Sequence, residues 1–458
     1  MLLMILRIIL IFVVSGLLFM PCLQAGVITV LPQFTKGDRV LILAPHPDDE
    51  AIGAGGVIQM ALEAGAQVKV VLLTNGENNQ LSFIVYKKRP VLLPNEIIKM
   101  GTMRYQESVA AMMSLGLNQS DVIALGYPDY GTMEVFQKYW GSVKSSFRAM
   151  LSRRRSVPYQ NARSFGAPYV GESILKDLEG ILVDFKPTKV FVSHSVDVNR
   201  DHRAAYAFLK VALWDVEDRV GKPDVFPYLI HAYNWPQPRG YFPGKVLDVP
   251  NDLSKSDIIW NMLTLDPGKI QKKNEAIKFY VSQNKGSPKY LFSFARLNEL
   301  FGDYPPVPIF KQMSSSPVWQ QLKTSEDEKP SRKAKEVDQI AGLSYARVGN
   351  NLRIQMNLKR VIDIKMGVSI FLFGYKKGTP FGQMPKINLV VGVDGFHVKE
   401  KRKNILSKEI EYKLTDKEMV FSVPLSVLGF PDRILSSAQT ALYDLAFDQT
   451  AWRELVIK

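Results

Sequence analysis

The sequence predicts an α/β protein, a mostly parallel sheet with helices on both faces, followed by a C-terminal all-β sandwich-like domain. Residues 39–45 (RVLILAP) and 67–74 (QVKVVLLT) are continuous apolar runs of strand length, as expected for strands buried on both faces. Helical patterns follow each run, and strands that alternate with helices predict βαβ units and a parallel sheet. After about residue 343 short alternating runs recur and little looks helical, which favours a β-sandwich.

The predicted elements of the first part follow one another in the order expected of such a sheet. Strands are predicted at residues 39–45, 67–74, 121–125, 188–193 and 227–233. Helices are predicted at residues 50–65, 95–116, 134–151, 172–185, 201–213, 267–283 and 292–301. The first two helices have a clear end signal, because each runs up to a glycine, Gly65 and Gly116.

Changes of composition divide the chain into four parts. We predict a signal peptide or anchor at residues 1–25, the α/β domain at 37–310, a linker at 311–342 and the sandwich-like domain at 343–458. The linker is predicted because residues 312–340 are polar and of mixed charge.

The amino terminus has the pattern of a targeting segment. One charge, Arg7, precedes an apolar run, and small residues follow it, so we expect a signal peptide cut after Ala25. The protein is then exported, to the periplasm, the cell envelope or the medium. A retained membrane anchor is the alternative, because Leu2 to Met20 spans 19 residues, but Arg7 within that run counts against it.

Composition limits the chemistry that the chain can carry. Cys22 is the single cysteine, which excludes disulfides within the chain and cysteine-based zinc sites. The formal charge of +14 suits an anionic partner, such as an envelope polymer or a membrane surface, although a solvated basic surface explains it equally well. Any histidine chemistry must draw on His46, His194, His202, His231 and His397.

The segment His46-Pro47-Asp48-Asp49-Glu50 directly follows the first strand and opens the first helix. Ligands of a doubly wound sheet bind at that end of the strands. Histidine and carboxylate at close spacing suit zinc, and of two adjacent carboxylates one can bind the metal while the other accepts a proton from water. The alternative is that the aspartates only cap the helix, which does not explain the whole cluster. Gly53-Ala54-Gly55-Gly56 lacks the spacing of a dinucleotide loop and favours close helix–sheet packing.

A second polar cluster, residues 194–203 (HSVDVNRDHR), follows the fourth strand and also enters a helix. His46 and His202 are 156 residues apart, yet a parallel sheet can bring the ends of two strands together. A single histidine at a helix start is more often structural. Two clusters at two strand ends weaken that alternative.

Together the two clusters resemble the zinc-dependent de-N-acetylases of the PIG-L/LmbE family. The resemblance rests on residues 44–50 (APHPDDE) and 197–203 (DVNRDHR) and covers about residues 37–300. Further similar segments are residues 73–77 (LTNGE), 104–107 (RYQE), 128–129 (PD) and 184–187 (DFKP). The resemblance implies a Rossmann-like fold. It also implies that the protein is a hydrolase that removes an acetyl group from an N-acetylated sugar, glycoconjugate or glycolipid.

The resemblance also implies a role for each matching residue. One Zn²⁺ per chain is expected, with His46, Asp49 and His202 as its ligands. Asp48 matches the general base that activates water, and Arg104 and Asp129 match positions that hold the substrate. We expect three further carboxylates to support these side chains through hydrogen bonds: Glu50, Asp197 and Asp201.

One departure from the family pattern concerns the catalytic acid. Many members have a histidine three residues before the last ligand, and here that position is Asn199. An asparagine can donate a hydrogen bond to an oxyanion, but it cannot deliver a proton. Either Asp48 returns the proton to the leaving amine or another residue helps. His231 is the candidate, as a substrate-binding residue or an acid, and a structural role is its alternative.

Two other classes of function stay open. One is a non-catalytic, zinc-containing glycan-binding protein on a deacetylase scaffold, which the intact His46, Asp48, Asp49 and His202 argue against. The other is a nucleotide-binding transferase, for which the sequence lacks a phosphate loop. Nucleic acid is not expected as a partner.

The C-terminal part weakly resembles the β-sandwich modules of secreted carbohydrate-active enzymes. Trp452 and several tyrosines and phenylalanines are candidates for stacking on sugars. A structural or docking role is the alternative, because aromatic residues in a sandwich usually form its core. We expect residues 343–458 to fold separately and to be dispensable for chemistry on small substrates.

Overall fold

The computed structural model describes most of the chain after the predicted targeting segment. The described residues are 28–79, 93–141, 143–286, 289–313, 317–322, 340–359, 361, 366–392, 394–405, 408–442 and 445–458. The predicted signal peptide, residues 1–25, lies outside them. Within these ranges, no helix combines the length and the apolar character needed to cross a membrane.

The first sheet has eight strands and is mostly parallel, as predicted. They are β1 Ile28–Val30, β2 Arg39–Ala44, β3 Gln67–Thr74, β4 Val122–Tyr127, β5 Lys189–Ser193, β6 Asp224–Tyr228, β7 Ile259–Thr264 and β8 Asn298–Asp303. Their order across the sheet is β1-β7-β8-β6-β5-β2-β3-β4. The run from β6 to β4 is parallel throughout, while β8 is antiparallel to both of its neighbours.

Seven α-helices are described, and they cover both faces of this sheet. They are α1 Asp49–Glu63, α2 Pro94–Leu115, α3 Thr132–Lys138, α4 Gly171–Phe185, α5 Arg200–Val220, α6 Pro267–Lys278 and α7 Val281–Gly286. Alternate side chains of a strand point to opposite faces. In β2, Val40 and Ile42 therefore pack in a core with α1, α2 and α6, while Leu41 and Leu43 pack in another with α4 and α5.

Three local predictions differ from the structure. The predicted helix at 134–151 ends at Lys138, and the chain soon turns at Gly141, whose φ is +90°. The predicted helix at 267–283 is divided into α6 and α7. The predicted helix at 292–301 is wrong from residue 298 onward, because residues 298–303 form β8 and their antiparallel pairing with β7 satisfies their backbone groups.

The order of the strands decides where the two polar clusters lie. The chain moves outward from β2 to β3 and β4, then returns to place β5 on the other side of β2. Strands β2 and β5 are parallel neighbours, so their carboxyl ends are adjacent. This is a topological switch point, where ligands of open α/β sheets bind.

The glycines of residues 53–56 allow close packing, as predicted. A Cβ on Gly53 would lie 2.6 Å from the ring of Tyr228, a residue of β6. A Cβ on Gly56 would lie 2.4 Å from a methyl carbon of Leu265. Larger side chains at these positions would push α1 away from the sheet that it covers.

Helix α1 is interrupted among these glycines, and a buried ion pair provides the hydrogen-bond acceptor for the backbone N–H groups after the interruption. Ala54 has a non-helical φ of −140°. The Glu299 carboxylate accepts hydrogen bonds from the backbone N–H groups of Gly56 (2.6 Å) and Val57 (3.0 Å). Lys273 Nζ lies 2.6 Å from the same carboxylate, so the buried charge is paired.

The C-terminal part is strand-rich, as predicted, and its two sheets enclose a common apolar core. One sheet has the order β10-β12-β13-β19-β18, with β11 beside β12, and the other β17-β16-β15-β14-β20-β22-β9, with β21 beside β20. The strands are β9 Val307–Ile309, β10 Lys311–Gln312, β11 Gln320–Leu322, β12 Ile340–Val348, β13 Asn351–Leu358, β14 Met366–Tyr375, β15 Lys386–Gly392, β16 Gly395–Glu400, β17 Lys403–Ile405, β18 Glu411–Leu414, β19 Glu418–Pro424, β20 Arg433–Leu442, β21 Leu445–Gln449 and β22 Arg453–Ile457. Strands β9 to β11 extend this part of the fold into residues 307–322, so the described portion of the predicted linker includes short strands.

The sandwich packs on the α/β part through aromatic side chains. Trp452 is only 1% exposed and lies against Phe136 of α3 and against Phe371 and Phe373 of β14, with ring centroids 5.3–5.7 Å apart. Because its ring is buried there, Trp452 cannot stack on a sugar in this structure. The structure therefore supports the alternative prediction, in which Trp452 has a structural role.

Candidate active site

The two polar clusters meet at the carboxyl ends of β2 and β5, around a cavity of about 320 Å³. The cavity lies at the switch point of the sheet, where the strand order reverses. The predicted site residues in its lining are His46, Asp48, Asp49, Arg104, Asp129, Asn199 and His231. His202 is fully buried behind the lining.

Three of the predicted ligands form a compact triangle of donor atoms. Asp49 Oδ2 lies 3.2 Å from His46 Nδ1 and 3.1 Å from His202 Nε2, and the two ring nitrogens are 3.3 Å apart. Around a tetrahedral zinc with ligand distances of about 2.0–2.2 Å, neighbouring ligand atoms lie about 3.3–3.6 Å apart. The triangle therefore needs to widen only slightly to hold such an ion.

The backbone at the start of α1 turns this cluster inward. Asp48 has a φ of +122°, and its side chain makes no capping bond to the helix. Asp49 Oδ2 instead accepts a hydrogen bond from the backbone N–H of His46 (3.0 Å). Helix capping therefore does not account for the side chains of these two aspartates.

A carboxylate faces the second nitrogen of each histidine ring. His46 Nε2 lies 3.1 Å from Asp129 Oδ1, and His202 Nδ1 lies 3.3 Å from Asp197 Oδ2. Partners of this kind fix the orientation and the tautomer of a ligating histidine. Asp129, which is predicted to hold the substrate, lines the cavity, and its carboxylate also accepts from the backbone N–H of Asn78 (2.6 Å).

The remaining predicted carboxylates also lie behind the triangle. Asp201 accepts hydrogen bonds from the backbone N–H groups of Tyr130 and Thr132. Glu50 accepts from the backbone N–H of Asp48 (3.0 Å) and from the Tyr280 hydroxyl (2.7 Å). Both carboxylates therefore tie the cavity wall to neighbouring elements.

The close contacts between carboxylates and imidazole rings raise the pKa of His202 and lower the pKa of Asp49. Burial opposes a charge on His202, but the nearby Asp197 and Asp49 raise its pKa to about 9. Burial likewise favours the neutral form of Asp49, but His202 and His46 lower its pKa far below the usual value. Asp49 thus stays a carboxylate and attracts positive charge to the triangle.

Asp48 differs from its neighbour in its partners and in its pKa. Its carboxylate lies 3.2 Å from Arg104 Nη2. Burial raises the pKa of Asp48 to about 8, although Arg104 opposes the shift. A carboxyl group with a pKa near neutrality can both accept and return a proton.

Arg104 is held by the protein on several sides. Its Nη2 donates to the carbonyl of Pro47 (2.7 Å), and its Nη1 donates to the carbonyl of Gly76. Gly76 has a φ of +65°, and a Cβ there would lie 2.1 Å from Arg104 Nη1. Arg104, which is predicted to hold the substrate, lines the cavity, and its contact with Asp48 adds a positioning role.

Asn199 and His231 form part of the opposite wall. Asn199 Oδ1 caps α5 by accepting from the backbone N–H of Asp201 (2.8 Å), and the residue lines the cavity. His231 Nδ1 lies 3.1 Å from Asp197 Oδ1, and its side chain is 35% exposed. Its ring stacks on Tyr290, another lining residue. His194, by contrast, is buried and stacks on Trp260, away from the cavity.

Sequence reasoning gave no role to two residues of this region. Glu77 is buried, and burial together with Asp129 raises its pKa to about 8. Glu77 belongs to residues 73–77 (LTNGE), a segment that resembles the family, but the resemblance assigns no role to this residue. Tyr290 lies outside every motif, and only the fold brings it to His231.

Comparisons with known proteins agree with the geometry. A family model described as "PIG-L: GlcNAc-PI de-N-acetylase" matches residues 41–213. A 1D-myo-inositol 2-acetamido-2-deoxy-alpha-D-glucopyranoside deacetylase of Mycobacterium sp. (strain KMS) is 32% identical over 185 residues, 39% of this chain and 52% of the relative. The protein of the same name in Mycobacterium avium (strain 104) is 33% identical over 81 residues, 18% of this chain and 26% of the relative.

A solved structure, the N,N'-diacetylchitobiose deacetylase from Pyrococcus horikoshii, is 19% identical and covers 54% of this chain and 70% of that chain. Its TM-score of 0.33 supports no inference about this protein. The chain spans about a quarter to about half of the length of the two curated relatives, 26% and 52%. Residues 41–213 of this chain form a domain of the PIG-L (GlcNAc-PI de-N-acetylase) family.

Proposed function

We propose that the protein is a zinc-dependent hydrolase that removes the acetyl group from an N-acetylated sugar or glycoconjugate. The observation that carries this proposal is the triangle of His46, Asp49 and His202 beside Asp48, at the wall of a polar cavity. Two imidazoles and one carboxylate match the donor sets of catalytic zinc sites, which leave a position open for water or substrate. The curated relatives, which are named as deacetylases of an acetamido sugar, support the same reaction.

The residues of this chain supply positioning and proton transfer. A zinc ion bound at the triangle would polarise the acetyl carbonyl and make water more acidic. Asp48 accepts the proton of the attacking water, and Arg104 holds its carboxylate toward the cavity. The Nδ2 group of Asn199 donates a hydrogen bond to the oxygen that gains negative charge.

The leaving amine must gain a proton before it departs. Asn199 cannot provide one. Asp48, having accepted the water proton, returns it to the amine, so one carboxylate carries out both transfers. His231 contributes to the wall of the cavity and to substrate binding, with its ring held by Asp197 and Tyr290.

The test is acetate release from N-acetylglucosamine and its small glycosides. Activity should disappear after chelation and return with one equivalent of Zn²⁺ per chain. Asp48→Asn should keep the metal and lose about 10²–10⁴-fold in kcat, because an amide cannot accept the proton. Asp184→Asn, at an exposed carboxylate far from the cavity, is the matched control and should behave as wild type.

Two results would contradict the proposal. Near-normal turnover by Asp48→Asn would assign the base to another residue. Tight zinc binding without acetate release from any N-acetylated sugar would favour a non-catalytic glycan-binding protein instead.

We also propose that residues 1–25 direct export of the protein, to the cell envelope, the periplasm or the medium. The apolar run after Arg7 and the formal charge of +14 support an exported protein that works near an anionic polymer or membrane surface. Fractionation and amino-terminal sequencing of the mature chain test this. A protein confined to the cytoplasm with an intact amino terminus would contradict it.

A further inference from the structure

A second cavity, of about 500 Å³, is formed mainly by the segment between β6 and β7. We name it the distal cavity and define it by lining residues Tyr233, Asn234, Gln237, Asp248, Asn251 and Arg296. All of these residues follow residue 213, where the PIG-L match ends. These six lining residues therefore lie outside the part of the chain that matches the family model.

Two stretches of chain run from the catalytic cavity into the distal cavity. His231 lines the first cavity and Tyr233 the second, and their Cα atoms are at most about 7.6 Å apart because consecutive Cα atoms are 3.8 Å apart. Tyr290 lines the first cavity and Arg296 the second, on one short segment. The two cavities therefore lie next to each other in the fold.

Tyr233 stands at the tip of a tight turn between them. The backbone N–H of Trp235 donates to the carbonyl of Ala232, and Asn234 has a φ of +49°. This geometry leaves the Tyr233 side chain 53% exposed at the edge of the distal cavity. An aromatic ring in that position offers a flat apolar face to a ligand.

The base of the distal cavity is rigid. The buried Trp235 ring packs on Phe294, and its Nε1 donates to the carbonyl of Asp248 (2.8 Å). The Arg296 guanidinium donates to the carbonyls of Gln237 (2.9 Å) and Pro238 (2.7 Å). These bonds hold the two sides of the cavity together, so it is formed before any ligand binds.

The chemistry of the lining suits a neutral sugar. Amide and carboxylate side chains at its rim, on Asn234, Asn251 and Asp248, can bind sugar hydroxyls, and Tyr233 can stack on the ring. An anionic group is disfavoured, because Asp248 lies in the lining and the Arg296 guanidinium already donates to backbone carbonyls.

From these observations, and resting on the proposed deacetylase function, we propose that the distal cavity is a sugar subsite. It binds the uncharged sugar next to the N-acetylated one that occupies the catalytic cavity. The substrate is then an oligosaccharide or a glycan chain rather than a single sugar. Tyr233 is its specificity-determining residue, which acts by stacking on the neighbouring sugar.

The test compares N-acetylglucosamine oligomers of one to four units. For the zinc-loaded wild type, kcat/KM should rise about tenfold from the monosaccharide to the trisaccharide, chiefly through a lower KM. Tyr233→Ala should reduce this ratio to nearly one. Tyr241→Ala is the matched control: it removes an exposed tyrosine of the same segment that does not line the cavity, and it should keep the wild-type ratio.

Titration of the trisaccharide into Asp48→Asn protein, with and without Tyr233→Ala, measures binding apart from turnover. A weaker binding constant by about tenfold in the double variant supports the subsite, even if no oligomer releases acetate and the proposed reaction fails. A wild-type ratio near one, or a Tyr233→Ala variant with the wild-type ratio, overturns the subsite while leaving the deacetylase proposal in place. Equal trisaccharide binding with and without Tyr233→Ala also overturns it.

Discussion

Arg203, which follows His202 of the donor-atom triangle in sequence, donates from its guanidinium to the backbone carbonyl of Thr450 in the C-terminal sandwich. The same nitrogen also lies 3.2 Å from Ser437 Oγ. Close by, the backbone N–H of Trp452 donates to the carbonyl of Ser195 (3.4 Å). The second polar cluster therefore lines the cavity on one side and contacts the sandwich on the other.

This arrangement changes what we expect of a shortened chain. Removing residues 306–458 would expose the aromatic face around Phe136 to water and take away the two acceptors of the Arg203 guanidinium. We predict that such a chain aggregates, or that its soluble fraction loses metal. Size-exclusion chromatography and metal analysis measure both effects. A monodisperse, zinc-loaded and active fragment would show that the sandwich is dispensable after all.

Arg203 itself should contribute to stability and to the placement of His202. Arg203→Gln removes a buried, charge-assisted hydrogen bond, so we expect a free energy of unfolding about 2–3 kcal/mol lower and weaker zinc binding. Arg200→Gln, at a half-exposed arginine on the same turn, should change stability by less than about 0.5 kcal/mol. Denaturant unfolding and zinc titration test the pair. If the two variants have the same free energy of unfolding and the same zinc affinity, the contact of Arg203 with the sandwich does not support His202.

The ligand triangle predicts the metal content of variants. His202→Ala should lose most of the zinc, because two ligands seldom hold the ion tightly at neutral pH. Asp129→Asn, which alters the partner of the His46 ring, should bind zinc about 10–100-fold more weakly without abolishing the site. Metal analysis after dialysis separates the two effects. One tightly held zinc per chain in His202→Ala would show that the ligand set is wrong.

His231 is the remaining candidate for the acid that protonates the amine. We expect His231→Ala to keep its zinc and to lose less than about tenfold in kcat, compared with the 10²–10⁴-fold typical of a true acid. The reason is geometric: Nδ1 of His231 is held by Asp197, and Asp48 already lies next to the ligand triangle. Steady-state kinetics on a small N-acetyl sugar decide it, and a thousandfold loss with the metal intact would make His231 the acid.

His194 makes a prediction about pH and stability. Burial, with Arg453 and Arg203 nearby, lowers the pKa of His194 to about 3, although Asp197 opposes the shift. The folded protein therefore holds this ring neutral, while the unfolded chain takes up a proton below about pH 6.5. The stability that His194 contributes is complete above that pH and falls as the pH drops toward 3, by up to about 1.4 kcal/mol per pH unit.

His194→Gln keeps an acceptor near the backbone N–H of Val196, which bonds Nδ1 in the wild type, but it cannot titrate. Urea unfolding between pH 7 and pH 4 should therefore show a smaller slope of stability against pH in this variant. If His194→Gln keeps the wild-type slope, the folded and unfolded states do not differ in the protonation of this ring.

Much of the site was predictable from the sequence because its signals are local. The apolar runs at 39–45 and 67–74 identify buried strands, and polar clusters directly after two strands must lie at the carboxyl edge of a parallel sheet. The choice of His46, Asp49 and His202 within those clusters was implied by the resemblance to the PIG-L/LmbE family. The strand order explains how their donor atoms meet, although His46 and His202 are 156 residues apart in the chain.

Only the tertiary structure decided that Asp129 and Arg104 support His46 and Asp48, and that the sandwich packs on the α/β part. Asp129 faces the His46 ring and Arg104 holds Asp48 across more than 50 residues of chain, and no local periodicity encodes such contacts. Residues 292–301 were predicted as one helix, but pairing with β7 makes residues 298–303 a strand. An aromatic residue that alternates along a strand has the same pattern whether it faces its own core or another domain. The physical reason is that periodicity specifies which face of an element is apolar, while the partner of that face is set by long-range packing, as in the burial of Trp452 against α3.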